Sequence, residues 1–294
     1  KIMLNNLAKL IALITRRFYP RGTQRMLRLF FNPRKLHLKA VMPYDRNLRI
    51  NVDTSSYIEW ELFFQGYYER WVIEAMKKII KKGDVAIDAG ANIGSHTLIM
   101  AKLVGNAGRV LAFDPDLRSV RRLKENLDLN HFSNTKVFQS ALSNKAGTMT
   151  LFLYGDEARD QGTVSLYNLP KLQKSEVEVS VETLDEIVKR ENLSRLNFIK
   201  IDTRGSDLNI IKGARASINK FQPVIVFEYN KDNWDRSRSK WSEARQLFSE
   251  DGYALYLIDK NGIHFIEHET DGKTSYNILA LPKEKINQIN LKLS

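Results

Sequence analysis

From residue 84 onward, short apolar runs alternate with segments of helical periodicity, and this alternation restricts the fold more than any other feature. The runs are VAID (85–88), RVLAFD (109–114), TKVFQ (135–139), FIKID (198–202), PVIVFE (223–228), ALYLI (254–258) and NILAL (277–281). Helical segments are expected at about 95–104, 117–130, 206–218 and 238–250. Strands apolar on both faces belong in a sheet covered on both sides. The pattern therefore predicts an α/β Rossmann-like domain with a mostly parallel sheet and helices on both faces. Residues 148–154 and 177–183 alternate apolar and polar instead, which predicts an inserted hairpin.

The earlier residues read differently. Pro20, Gly22 and Pro33 punctuate the first forty, LRINV (48–52) alternates like a half-buried strand, and residues 57–68 are rich in aromatics. Trp71, Val72, Ala75, Met76, Ile79 and Ile80 then recur at helical spacing up to a stop at Gly83. The chain thus divides into an N-terminal appendage, residues 1–70, and a Rossmann-like domain, residues 71–294.

The sequence DAGANIG (88–94) joins the first of these strands to its helix. A sharp strand-to-helix turn needs residues without bulky side chains, which Gly90, Ala91 and Gly94 supply, and open α/β sheets bind ligands at such strand ends. Asp114 closes the second strand, where a carboxylate can accept hydrogen bonds from both hydroxyls of a ribose. A dinucleotide site usually has G-x-G-x-x-G, but Asn92 holds the place of the second glycine. S-adenosylmethionine carries no phosphate, and its ammonium suits an acid such as Asp88, so the spacing favours this methyl donor over NAD.

Composition removes other classes. With no cysteine there is no disulfide framework, thiolate metal site or cysteine nucleophile, and a reducing, cytoplasmic setting is expected. The net charge of +12 fits a solvated basic surface or an acidic glycan or lipid partner. No aromatic–basic signature or zinc-finger spacing points to nucleic acid. No apolar run reaches the roughly 18 residues of a membrane span. Residues 1–18 are basic and amphipathic, with Met3, Leu7, Leu10 and Ile14 on one face. The stretch Leu10–Ile14 is too short for a secretory leader. That face is expected to dock on the protein's own core or on a second subunit in a homo-oligomer; the alternative is peripheral contact with a membrane surface.

Taken together, GDVAIDAGANIGSHTL (83–98), VLAFDPD (110–116), ENLDLN (125–130), SALSNKAGTMTL (140–151), VETLDEIV (181–188), NFIKIDTRGSDLNIIKGA (197–214) and PVIVFEY (223–229) resemble the FkbM family of class I methyltransferases. The resemblance covers about residues 66–230. It implies a seven-stranded sheet with its last strand antiparallel, S-adenosylmethionine as cofactor, and methyl transfer to a hydroxyl of a sugar, glycan or natural product. By motif it implies that Asp88, Gly90, Asn92 and Gly94 line the methionine end, with Ala91 in the same turn. Asp114 would hold the ribose, Ser140 and Ala141 would lie by the adenine, and Glu69 would face the cofactor. Where the family often has D-V-E-G, this chain has Asp202-Thr203-Arg204-Gly205, a base in place of an acid at the mouth of the expected site.

An alcohol is a poor nucleophile near neutral pH, so a base within reach helps. Asp202 at the end of its strand is the first candidate and His96 the second. His264 is a weaker one, and His37, His131 and His268 are assigned to the surface. Arg204 suits an anionic acceptor. Glu228, one strand over, is placed at the acceptor side; it pairs with a base in preference to joining Asp202 around a divalent cation, and no metal is assigned. Loops 155–176, 230–240 and 259–276 are expected to contact the acceptor. The alternatives are a methyltransferase-like protein that binds donor without catalysis, and a nucleic-acid methyltransferase. The turn TRGS in place of P-P-[YFW] argues against the latter.

Overall fold

The computed structural model describes residues 2–18, 22–32, 37–154, 164–168, 174–266, 275–289 and 291. Two helices, α1 (Ile2–Arg17) and α2 (Thr23–Phe30), precede an antiparallel hairpin of β1 (Lys39–Tyr44) and β2 (Leu48–Asp53). Helices α3 (Tyr57–Gln65) and α4 (Arg70–Ile79) lead into the sheet. Within α4, Val72, Ala75, Met76 and Ile79 are buried as the periodicity predicts, and Ile73 is buried with them. Trp71 is an exception: it is 43% exposed, with the Arg70 guanidinium 5.5 Å over its ring.

The alternation then unfolds as β3 (Val85–Ala89), α5 (Ser95–Val104), β4 (Arg109–Phe113), α6 (Leu117–Leu129) and β5 (Thr135–Phe138). An inserted sheet follows, made of β6 (Ala141–Leu142), β7 (Gly147–Tyr154), β8 (Val164–Ser165) and β9 (Lys174–Glu182), with β7 and β9 antiparallel. The chain continues through α7 (Leu184–Arg190), β10 (Phe198–Ile201), α8 (Asp207–Lys212), α9 (Arg215–Phe221) and β11 (Val224–Asn230). It ends with α10 (Lys231–Arg236), α11 (Trp241–Glu250), β12 (Tyr253–Asp259), β13 (Gly262–Phe265), β14 (Ser275–Pro282) and a 3-10 turn at Lys283–Gln288.

The main sheet has the order β13-β12-β14-β11-β10-β3-β4-β5. It holds eight strands where seven were expected, because GIHF pairs antiparallel with β12 as an extra edge strand. Strand β14 is antiparallel, as expected, and is inserted between β11 and β12. The helix expected over 206–218 is broken into α8 and α9. At the break, a Cβ on Gly213 would sit 2.2 Å from the Ser143 carbonyl, so a glycine lets the inserted sheet approach.

Alternate residues of each central strand feed two apolar cores. Ala86, Val110, Phe198, Val226 and Leu279 join the first, with Ala8, Ile50, Trp60 and Met76 from the first 80 residues. Ile87, Leu111, Ile199, Phe227 and Ile278 join the second, with Ile187, Ile211 and Phe248. The N-terminal elements thus cover one sheet face.

Candidate active site

The central strands end in register. Ala89 lies opposite Phe113 and Ile201, and Ile201 lies opposite Phe227. The next residues along the chain are Gly90, Asp114, Asp202 and Glu228, which therefore form one row along the carboxyl edge of four adjacent strands. Chain direction across the sheet reverses between β3 and β10, the position where open α/β sheets hold ligands.

Gly90 has φ +85°, and a Cβ there would sit 2.0 Å from the Asp202 carbonyl, so only glycine lets these two loops touch. Asn92 is left-handed at φ 50°, and its N–H donates to Asp114 Oδ2 at 2.8 Å. The Asp116 N–H donates to Asp114 Oδ1 at 2.9 Å. Burial still pushes the Asp114 carboxyl up to about 7, against those two amide donors.

Two adjoining cavities open on this row. Gly90, Asn92, Asp114, Ser140 and Ala141 line the first, together with Val164, Ser165 and Leu166 of the inserted sheet. Ala91, His96 and Glu228 line the second, with Tyr68, Asn230 and Asn233. Gly90, Asn92, Asp202 and Arg204 belong to both walls. Of segment 155–176, expected at the acceptor, Val164, Ser165 and Leu166 line the cavity that holds Asp114, whereas 230–240 reaches the second cavity through Asn230 and Asn233.

Three expected residues stand behind these walls. Asp88 is buried, accepts from Thr97 Oγ1 at 2.6 Å through Oδ2, and has no partner at Oδ1. Gly94 serves packing: a Cβ would come 2.4 Å from Leu123 Cδ1 of α6. Glu69 precedes α4 at φ 51° and accepts from Asn277 Nδ2 at 2.8 Å. Its Oε2 lies 3.5 Å from His96 Nε2 and 3.8 Å from Lys200 Nζ.

Lys200 is the residue that sequence reasoning missed. It is buried within β10, opposite Asp88 in β3, and its Nζ lies 3.1 Å from Asp202 Oδ2. A lone lysine inside an apolar run with an acid two residues later was the available signal. Burial alone would lower its pKa, but Asp202, Glu69 and Asp88 outweigh that and hold it above the ordinary lysine range. The acids outnumber it. Burial pushes Glu69 up to about 7, with Asp202 adding to the effect. Burial, then Asp202 and Asp207, push Glu228 up to about 8. Burial, then Asp202, push Asp207 up to about 7. His96 goes the other way: burial, then Lys200, lower its pKa well below the ordinary value, so the ring is neutral near pH 7.

Glu228 Oε1 accepts from Ser275 Oγ at 2.7 Å, and Ser140 Oγ donates to Glu182 Oε2 at 2.8 Å. Six buried side-chain polar atoms among the described residues lack a hydrogen-bond partner, and five of them cluster here: Glu69 Oε2, Asp88 Oδ1, His96 Nε2, Thr203 Oγ1 and Ser206 Oγ. Orphaned groups are costly in a finished core and expected where a polar ligand completes the set. His264 is elsewhere, on edge strand β13 with Nε2 3.5 Å from Asp259. His37 and His131 are exposed, and His268 lies outside the described residues.

Known methyltransferases are similar to this chain. The family described as "Methyltransferase FkbM domain" matches residues 88–255. Methyltransferase 1 of Beauveria bassiana is 28% identical over 58% of this chain and 72% of its own length. Hexuronic acid methyltransferase AglP of Haloferax volcanii is 26% identical over 54% of this chain and 61% of its own length. The 31-O-demethyl-FK506 methyltransferase FkbM of Streptomyces tacrolimicus is 24% identical over 62% of this chain and 78% of its own length. The family match covers more than half of the chain, which therefore belongs to the FkbM family of S-adenosylmethionine-dependent methyltransferases.

Proposed function

We propose that the chain methylates a hydroxyl of an anionic sugar, glycan or natural-product alcohol. The observation that carries this reading is the shared wall. Asp202 and Arg204 border both the cavity that holds Asp114 and the one that holds His96 and Glu228. The names of two relatives support the acceptor class, one a hexuronic acid, the other a 31-O-demethyl compound.

Asp114 would accept from the ribose hydroxyls, with Ser140 and Ala141 beside the adenine. Gly90, Ala91 and Asn92 would let the methionine end approach the backbone. Asp88 and Glu69, from behind the wall, supply negative potential to its ammonium and sulfonium. Bound there, S-adenosylmethionine supplies an electrophilic methyl carbon. Asp202 accepts the proton of the acceptor hydroxyl, with Lys200 fixing one of its oxygens at 3.1 Å. His96, neutral and with no hydrogen bond at Nε2, is the second proton acceptor beside it. Arg204 offers a planar fork of donors to a carboxylate or phosphate on the acceptor. Catalysis otherwise rests on alignment and exclusion of water.

Calorimetry with S-adenosylmethionine, S-adenosylhomocysteine and NAD, followed by labelled methyl transfer to hexuronic-acid and neutral glycosides, tests this. Asp114→Ala is expected to weaken both adenosyl ligands about tenfold or more, the loss of one or two charge-assisted hydrogen bonds. Asp202→Asn should lower kcat by about 10²–10⁴-fold with donor affinity kept. Arg204→Glu should raise KM for acidic acceptors alone. Donor binding without transfer to any hydroxyl would favour the non-catalytic alternative, and no donor binding by folded protein would remove the whole reading.

A further inference from the structure

Helix α1 docks through its small side chains. Ala8, Ala12 and Thr15 are buried, and Thr15 Oγ1 donates to the Phe64 carbonyl of α3 at 2.6 Å. Its large apolar side chains point the other way: Leu7, Leu10, Leu13, Ile14 and Phe18 are 47–71% exposed. The face expected to dock on the core is therefore the outer one. Met3 lies outside the described side chains. Helix α2 repeats the arrangement, burying Leu27 and exposing Met26, Leu29 and Phe30, a ridge at i, i+3 and i+4. Eight of the fourteen exposed large apolar side chains among the described residues lie on or beside these two short helices. A concentration of this kind marks a surface that something covers.

Charge says what covers it. Residues 1–44 contain ten Lys or Arg and no Asp or Glu, whereas the remainder holds thirty-six against thirty-four. Nearly all of the net charge of +12 thus belongs to the segment that exposes the apolar ridges. Lys9, Arg17, Arg25 and Arg28 are exposed on the same helices. A second copy of this surface would set two wholly basic faces together with no acid within the segment to pair them. Spanning is excluded for α1 and α2, since no helix among the described residues is long and apolar enough to cross a membrane.

We propose that α1 and α2 lie on an anionic lipid bilayer, their Leu, Ile, Met and Phe side chains among the upper acyl segments and their Lys and Arg at the lipid phosphates. Apolar area and electrostatic attraction act together in such binding, and the second is screened by salt. The groove at the end of α1 adds Arg46, Arg49 and Arg70 to the cations, while its acids Asp45 and Glu74 pair with Lys77. This inference stands on the surface alone and holds whichever acceptor the cavity takes.

Sedimentation of the full chain with vesicles decides it, comparing phosphatidylcholine alone with phosphatidylcholine containing about 30% phosphatidylglycerol. The expected result is binding at least about tenfold stronger to the anionic vesicles, weakened by raised salt. Leu10→Glu with Leu29→Glu should lose about tenfold or more of that binding at unchanged Tm and donor affinity, because both side chains are exposed. Arg17→Gln with Arg25→Gln should reduce the preference for anionic lipid. Binding indifferent to lipid charge, binding that survives the glutamate pair, or no binding at all would overturn the proposal. So would a dimer in solution that the glutamate pair dissolves.

Discussion

Lys200 is a buried cation among carboxylates that reach it from three separate parts of the chain: Asp202 in the next loop, Asp88 across the β3–β10 ladder and Glu69 ahead of α4. Removing one partner of a buried ionic set leaves the others uncompensated. Lys200→Met should therefore cost about 3–5 kcal/mol in urea unfolding. An unchanged midpoint would show that water reaches these acids. Glu228 sets a second expectation. Its pKa is raised to about 8 in the fold, so the native state holds that proton more tightly than the unfolded chain. Stability is therefore lost as pH rises toward the folded pKa. His96 acts oppositely below about 6.5, since burial keeps it neutral in the fold. Between pH 6.5 and about 8, then, Tm should fall, and Glu228→Gln should flatten the fall; a Tm that rises there would contradict the assignment. At this scale the sequence was informative about Gly90, Asp114, Asp202 and Glu228, because the last residue of an apolar strand marks the carboxyl edge of a parallel sheet. Lys200 was not legible, since two of its three acids lie more than one hundred residues away in the chain.

Helix α1 is held by one side chain as much as by its apolar contacts. Arg16 donates from Nε to the Phe63 carbonyl at 2.8 Å, and from its terminal nitrogens to the Leu62 and Pro43 carbonyls. It thereby ties α1 to the last turn of α3, where the negative end of the helix dipole favours a cation and the Leu62 carbonyl also accepts from the Gly66 N–H at 3.1 Å. Burial lowers its pKa to about 10, the electrostatic cost of this position. Arg16→Met should cost about 1.5–3 kcal/mol, the range of hydrogen bonds to a charged group, and should open the first helix to limited proteolysis before the sheet unfolds. Cleavage in the sheet first would place the weak point elsewhere. The order and type of elements from residue 84 onward were readable because strand and helix periods differ. The direction α1 faces was not, because periodicity shows which residues share a face and not which face is buried; here close approach to α3 selected Ala8 and Ala12 over Leu10 and Ile14. The break between α8 and α9 escaped for a related reason, since it depends on Ser143 approaching Gly213 from the inserted sheet.

The whole molecule is organised by a sheet whose two faces are covered by different stretches of chain. The second core is closed by helices that follow β9, while the first is closed in large part by residues before β3. The N-terminal contribution is uneven. Residues 1–18 bury mainly Ala8, Ala12 and Thr15, but the hairpin beyond buries Met42, Tyr44, Leu48, Ile50 and Val52, with Leu38 just ahead of it. Each large aliphatic side chain of that group is worth about 1.5–3 kcal/mol of burial, so together they rival the 5–15 kcal/mol that holds a typical domain folded. Two truncations should then behave differently. Removal of residues 1–18 should leave a cooperative unfolding transition, a lower Tm and intact donor binding, with vesicle binding weakened by loss of five of the eight exposed apolar side chains. Removal through residue 54 should abolish cooperative unfolding and donor binding together, because the sheet face under Met76 and Val226 loses its cover. If the longer truncation folded and bound donor, the residues before α3 would be an accessory to the methyltransferase fold; if the shorter one unfolded, α1 would carry stability that its small buried face does not explain.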